Sequence, residues 1–204
     1  MTPPLRTMTA KSRHVRTSTV LTPEGQQALT PEGVLENLRA GNQRFVAGQI
    51  TVRDHLAQLP LAEAGQNPEA IVLSCVDSRV PVENVFDQGI GDLFVARVAG
   101  NFVNPDMLGS MEYACKVAGS KVVLVLGHQH CGAVKSAIDG VELGNITELL
   151  SKITPVVEAT EESGDRTSAN AEFVAAVTEA NVVNTINAFA PKAQSWQRWN
   201  PTVR

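Results

Sequence analysis

The stretch Ala70-Ile71-Val72-Leu73-Ser74-Cys75-Val76-Asp77-Ser78-Arg79 decides the fold. Its first five residues form a short apolar run with two β-branched members, Ile71 and Val72, the pattern of a buried strand. Cys75 therefore lies at the C-terminal end of that strand. Lys121-Val122-Val123-Leu124-Val125-Leu126 repeats the pattern, apolar along nearly its whole length as a strand covered on both faces is, and Gly127-His128-Gln129-His130-Cys131 follows at once. Thiol and imidazole donors are thus delivered to the same edge of a sheet. Ligands of open parallel sheets bind beyond the carboxyl ends of the strands. If these two strands are neighbours, Cys75, His128 and Cys131 converge there on one metal ion. Two thiolates and one imidazole suit zinc, and three protein ligands leave a fourth position for water or substrate, as catalytic sites do.

The flanking sequence alternates strands with helices. Asp54 to Pro68 reads as a loop with a short helical piece, and Pro81 to Phe86 as a short helix stopped by Gly89 and Gly91. Leu93 to Val98 is a further strand; Asn104-Pro105-Asp106 then opens a helix through Met107, Met111, Ala114 and Ala118, with Gly119 as its stop. Cys131 to Asp139 is helical, so His128 and Cys131 bracket a strand-to-helix turn. One amphipathic helix from about Asn145 carries Ile146, Leu149, Leu150, Ile153 and Val157; another from Ala169 carries Phe173, Val177, Ala180 and Val183. This alternation predicts an α/β fold with a mainly parallel central β-sheet flanked by helices, built from right-handed crossovers.

At 204 residues and 43% hydrophobic content, the chain suffices for one domain with a sizeable core. A formal charge of −4 gives no basis for nucleic-acid binding or attraction to anionic membranes, and no apolar run approaches a transmembrane span. Three cysteines, two of them in metal-type positions, argue for a reducing compartment and hence a cytoplasmic location. From Met1 to Leu21 no acidic residue occurs, while Arg6, Lys11, Arg13 and Arg16 are interspersed with Ser and Thr. Organellar transit peptides have such composition, but no amphipathic apolar stripe accompanies it, and residues 1–28 are read as a disordered basic leader. Leu21-Thr22-Pro23-Glu24-Gly25 recurs as Leu29-Thr30-Pro31-Glu32-Gly33, each a Thr cap followed by Pro at the first helical position. The second copy starts a helix to about Val46, with Val34, Leu35, Leu38 and Phe45 on one side. Periodicity alone leaves open whether this helix closes its own domain or forms an arm.

Asp77, two residues from Cys75, could itself take the fourth metal position and exclude water. Arg79, two further on, offers a bidentate partner that would hold the carboxylate away. Without a metal motif the pair would read as an ordinary turn salt bridge. Cys115, inside a helix, reads as a small core residue. His130 lies between the metal-type residues and reads as solvent-facing or supporting. Trp196 and Trp199 mark no cofactor site.

Cys75-x-Asp77-x-Arg79 and His128-x-x-Cys131-Gly132 resemble the β-class carbonic anhydrases. So do Ala40-Gly41-Asn42-Gln43-Arg44-Phe45, Arg97-Val98-Ala99-Gly100-Asn101 and Ser110-Met111-Glu112-Tyr113, and the similarity runs from about Thr30 to about Ala188. The resemblance implies zinc-dependent reversible hydration of carbon dioxide to bicarbonate and a proton, hydroxide being generated at the metal. It assigns Cys75, His128 and Cys131 to zinc and a gating role to Asp77 with Arg79. It also implies an N-terminal helical arm packed on a partner subunit, and a homodimer or dimer of dimers. The rivals are hydrolysis of a carbon dioxide analogue, carbonyl sulfide or carbon disulfide, and a zinc-stabilised binding or regulatory domain without turnover. Arg97 falls in a family-like stretch, where subunit contact and anion binding both remain open.

The similarity lapses near Phe189. The family continues into another strand with a Tyr-Asp pair, whereas Ala190 to Pro201 is polar and lacks strand alternation. The expectation is a truncated or frame-shifted C-terminus that leaves a sheet edge uncovered. Three regions follow: a leader over 1–28, the zinc-binding domain over 29–188 and an atypical tail over 189–204.

Overall fold

The structure is a computed structural model that describes residues 16–17, 19–63, 65–161 and 164–197. In chain order the elements are β1 (Arg16–Thr17), α1 (Pro23–Ala28), α2 (Pro31–Val46), β2 (Val52–Arg53), α3 (His55–Ala62), β3 (Ala70–Ser74), α4 (Val82–Val85), β4 (Leu93–Arg97) and α5 (Pro105–Glu112). A π-helical turn (Tyr113–Val117), β5 (Val122–Leu126), α6 (Gly132–Ile138), α7 (Gly144–Leu150), α8 (Thr154–Ala159) and α9 (Ala171–Gln197) complete it. The main sheet is parallel, in the order β4-β3-β5, with Ser74 level with both Arg97 and Leu126. A two-stranded parallel sheet joins β1 to β2. Of the leader expected over 1–28, residues 1–15 and 18 lie outside the described residues, but its remainder is not disordered: β1 pairs with β2, and α1 is fastened to the domain by Gln26, whose amide donates to the Pro68 and Ala118 carbonyls at 2.8 and 2.9 Å.

Alternation along the strands divides the core between two helical layers. Ala70 and Val72 turn to one face, where they pack with Val34 and Leu38 of α2 and with Val82 and Phe86 around α4. Ile71 and Leu73 turn to the other, against Met111, Ala114 and Phe189. Every residue of β3 is buried. The continuous apolar run seen in the sequence thus reports a central strand covered on both sides.

Both Thr-Pro-Glu-Gly copies form helices, Thr22 capping α1 and Thr30 capping α2. Helix α2 lies on the sheet of its own chain. Gly41 carries this contact: a Cβ there would meet the Phe86 carbonyl oxygen at 1.8 Å, so only glycine lets the helix approach α4 so closely. Phe45, at the end of the expected apolar side, is exposed.

Two helices differ from expectation. The run from Asn145 to Val157 breaks at Ser151–Ile153, because Pro155 has no N–H to continue the ladder and instead starts α8. Leu150, Ile153 and Val156 stay buried across the break. Helix α9 passes through Pro191 to Gln197, so the change expected at Phe189 falls inside a helix, and Phe189 packs in the core. Residues 198–204 lie outside the described part.

At the N-terminal end of β3, buried Glu69 accepts from Asn37 Nδ2 at 3.1 Å through Oε2, while Oε1 has no partner. Burial pushes its pKa above the ordinary 4.5, Asn37 opposes the rise, and nearby Asp92 adds to it. A carboxyl whose folded pKa is raised costs stability while ionised, and the cost disappears below the unfolded value. Glu69→Gln is therefore expected to be more stable than the parent in urea at about pH 7, the gain fading by about pH 4. Equal or lower stability at neutral pH would contradict this.

Candidate metal centre

Three segments meet at the carboxyl edge of the sheet. β3 ends at Ser74, so Cys75 is the first residue past the ladder. β5 ends level with it, so Gly127-His128 emerge beside it. Cys131 stands at the start of α6. The two strands are direct neighbours, which meets the condition that the sequence reading set. Ligand atoms of Cys75, His128 and Cys131 lie within 4.8 Å of one another, the one such group among the described residues.

The sulfur atoms of Cys75 and Cys131 are 3.9 Å apart, and both residues are buried against Val134 of α6 and Phe173, Val174 and Val177 of α9. Gly100 N–H points at Cys75 Sγ from 3.4 Å. Gly100 has φ +83°, and a Cβ there would meet Ile153 Cδ1 at 2.4 Å, so the loop that brings its amide to the sulfur requires glycine. Asn181 and Thr185 of α9 fasten this loop by donating to the carbonyls of Gly100 and Asn101 at 2.7 and 3.2 Å.

His128 Nδ1 is 3.0 Å from the Gln129 carbonyl oxygen, so it carries the proton and leaves Nε2 as a bare acceptor. Nε2 is buried and has no hydrogen-bond partner. The contact between the two sulfur atoms draws the Cys75 thiol below its ordinary range against the opposing effect of burial, and the same contact together with burial pushes Cys131 up. A cation fits this donor set. Two thiolates at about 2.3 Å from a tetrahedral zinc ion stand roughly 3.8 Å apart, close to the observed separation.

Asp77 stays off this group. Its carboxylate takes three donors from one residue, Arg79 N and Nε on Oδ1, both at 2.9 Å, and Arg79 Nη2 on Oδ2 at 2.7 Å. Oδ2 remains 3.9 Å from His128 Nε2. Arg79 holds the Asp77 carboxyl well below the usual carboxylate range. Arg79 Nη2 also reaches the His130 carbonyl at 3.3 Å; His130 itself is exposed, with φ 56°.

Cys115 sits apart, packed against the cluster of Met111 and Ala114, where burial pushes its thiol up. The contribution of Gly100 was not foreseen, although Arg97-Val98-Ala99-Gly100-Asn101 drew attention in the sequence; an amide aimed at a sulfur leaves no side-chain signal. Arg97 supports the Cys75 turn through its backbone carbonyls.

A family model described as carbonic anhydrase matches residues 70–200. Carbonic anhydrase 2 of Mycobacterium tuberculosis is 40% identical over 136 residues, covering 62% of this chain and 64% of that protein. A carbonic anhydrase of Mycolicibacterium smegmatis is 38% identical over 133 residues, covering 62% and 65%. Among solved structures, a β-carbonic anhydrase of Coccomyxa in complex with acetazolamide superposes with a TM-score of 0.62 at 26% identity, over 81% of this chain and 75% of that one. The parallel sheet with its thiol and imidazole donors at one edge defines an α/β protein of the β-carbonic-anhydrase fold with a group that could hold a metal ion. The chain belongs to the carbonic anhydrase family, and its matches span just under two thirds of the length of these curated relatives.

Proposed function

We propose that the chain catalyses the reversible hydration of carbon dioxide to bicarbonate and a proton, with zinc held by Cys75, His128 and Cys131. The observation that carries this reading is the buried, partnerless His128 Nε2 facing two sulfur atoms, while the nearest carboxylate is tied elsewhere. When bound, zinc lowers the pKa of water in its open position and so makes a nucleophile available near neutral pH, a role already known from the three-histidine carbonic anhydrases.

The chain's own residues do the rest. Cys75 and Cys131 supply two negative charges that nearly neutralise the dication, and Gly100 N–H fixes the first sulfur. Asp77, kept ionised by Arg79, accepts hydrogen bonds but donates none. It therefore turns the proton of an attacking oxygen toward itself and the lone pair toward the carbon of carbon dioxide. Arg79 prevents the same carboxylate from occupying the open position. One water and one carbon dioxide give bicarbonate, and the proton leaves to solvent.

Assembly as a homodimer or dimer of dimers belongs to the same reading. Exposed Val46, Leu56, Tyr113 and Val117 and the unpaired outer edges of β4 and β5 among the described residues support it. Three free thiols fit a reducing compartment such as the cytoplasm, and among the described residues no helix is long and apolar enough to cross a membrane.

Stopped-flow hydration of carbon dioxide by zinc-loaded protein tests the proposal. Activity that rises from slightly acidic to moderately alkaline pH is the expected result. Stoichiometric zinc with no activity at any pH would overturn it in favour of a zinc-stabilised binding domain. Carbonyl sulfide or carbon disulfide turned over in preference would reassign the substrate.

A further inference from the structure

Arg97 is the last residue of β4 and makes no ion pair among the described residues. Its guanidinium spends its donors on backbone: Nε donates to the Cys75 carbonyl at 2.9 Å and Nη2 to the Asp77 carbonyl at 2.6 Å. We infer that Arg97 is the positioning residue of the catalytic turn, a planar fork that fixes Asp77 relative to Cys75 and so keeps the carboxylate within reach of Arg79.

The need for such a fork follows from where the sheet stops. The ladder between β3 and β4 ends with Ser74 beside Arg97, and Val98 N–H to the Ser74 carbonyl, 3.1 Å, is the last backbone bond. Beyond it the chain curls away through Cys75, Val76 and Asp77, and the strand no longer supplies donors to its carbonyls. Inside the turn Val80 N–H donates to the Asp77 carbonyl at 3.1 Å, and among the described residues no backbone N–H donates to that of Cys75; a partly buried carbonyl left without a donor is costly, so the turn draws on a side chain. Arg97 supplies two donors from one rigid group, which holds the two carbonyls at a set separation and orientation. Lysine could satisfy one of them but could not fix the angle between them.

Two arginines thus divide the work. Arg79 is largely exposed and holds the Asp77 carboxylate; Arg97 is half-buried and holds the Asp77 backbone. The Arg79 N–H bond to Asp77 Oδ1 closes a tight side-chain turn and forms only when the backbone of residues 77–79 is curled correctly. That amide is therefore a local reporter of what Arg97 does.

The kinetic arm of the test rests on the hydration reading; the exchange arm stands without it. In Arg97→Lys, the Arg79 amide is expected to lose hydrogen-exchange protection by about 10-fold or more while the β3 amides keep theirs. Zinc, measured by chelator competition, stays bound through the intact Cys75, His128 and Cys131. The kcat/KM is expected to fall by about 10- to 100-fold, the range typical of residues that orient metal-site groups. The same change in an Asp77→Asn background should add little, because the carboxylate that Arg97 positions is already gone. Unchanged Arg79 protection, a loss of protection shared by all of β3, or an equal kinetic loss in both backgrounds would overturn the inference. Should the parent prove inactive, the proposed function fails, and the exchange result still decides the role of Arg97.

Discussion

Cys75→Ser is expected to bind no stoichiometric zinc and to hydrate carbon dioxide at least about 100-fold more slowly than the parent, while remaining folded. The metal loss follows from ligand chemistry: a serine hydroxyl stays protonated where the thiol ionises, and it lacks the softness that favours sulfur on zinc. Removing a group that merely supports a ligand typically costs 10- to 100-fold in affinity or activity, so removing one of three ligands costs more. Retention of the fold follows from the surroundings. Cys75 is 4% exposed, and a serine occupies the same space with its oxygen still facing Gly100 N–H. The stability change should be of the ordinary size for a buried point substitution, about 0.5–3 kcal/mol. Cys115→Ser, in the cluster of Met111 and Ala114, leaves zinc content unchanged and serves as the control. Zinc content after dialysis, hydration rate and a thermal melt decide the matter together. Zinc retained with activity within tenfold of the parent would contradict the assignment; general unfolding of Cys75→Ser would make the zinc structural.

The second large effect lies away from the site. Asp87→Asn is expected to lose about 3–5 kcal/mol, a large part of the 5–15 kcal/mol that keeps a typical domain folded. The Asp87 side chain is only 1% exposed and takes Arg44 Nε and Arg53 Nη1 at 2.5 Å each, with Thr51 N and Oγ1 at 2.9 and 2.8 Å. Arg53 also donates to the Asp87 backbone carbonyl. These bonds fasten α2 and the Thr51–Arg53 segment to the turn after α4. Asparagine keeps the shape and tolerates the positive φ of 49° at this position, so the loss isolates the charge. Two guanidinium groups are then left facing a neutral amide, and that of Arg53 is largely buried.

The pH dependence of this pair runs opposite to that of Glu69. Burial alone would raise the Asp87 pKa, but Arg53, Arg44 and Thr51 outweigh it and lower it from 3.8 to about 2. A carboxyl depressed in the folded state contributes stability that is complete above the unfolded pKa and lost as pH falls through the folded one. The gap between parent and Asp87→Asn should therefore be full at neutral pH and narrow between about pH 4 and about pH 2. Urea denaturation across this range measures it. A gap below about 1 kcal/mol at neutral pH would show that the ion pairs are no stronger than surface ones.

Local pattern carried much of this account. The run from Ala70 to Ser74 marks β3 to the residue because a central strand must be apolar on both faces. The convergence of Cys75, His128 and Cys131 was legible because two thiols and an imidazole placed just past the ends of two strands come to one edge when those strands are neighbours. Strand order was not legible: nothing in Val122 to Leu126 states that β3, rather than β4, lies beside it. Arg44 and Arg53 reach Asp87 across 43 and 34 residues, and such pairing has no local signature. The amide of Gly100 and the fork of Arg97 act on a sulfur and on carbonyls, so their roles depend on where the turn sits and not on which side chains it bears. The break before Pro155 did have a signal in the proline itself, outweighed by an apolar period that persists across it. At Pro191 the reverse holds, since α9 accepts the proline at the cost of one backbone bond and continues to Gln197.

The central claim is that Cys75, His128 and Cys131 hold zinc while Arg79 keeps Asp77 off it. A crystal structure of the zinc-loaded protein at about pH 8, with anomalous data at the zinc edge, tests both halves at once. The account predicts an anomalous peak bonded to the two sulfur atoms and His128 Nε2, with both Asp77 oxygens still on Arg79. A peak located elsewhere, or Asp77 swung onto the zinc with Arg79 released, would contradict it.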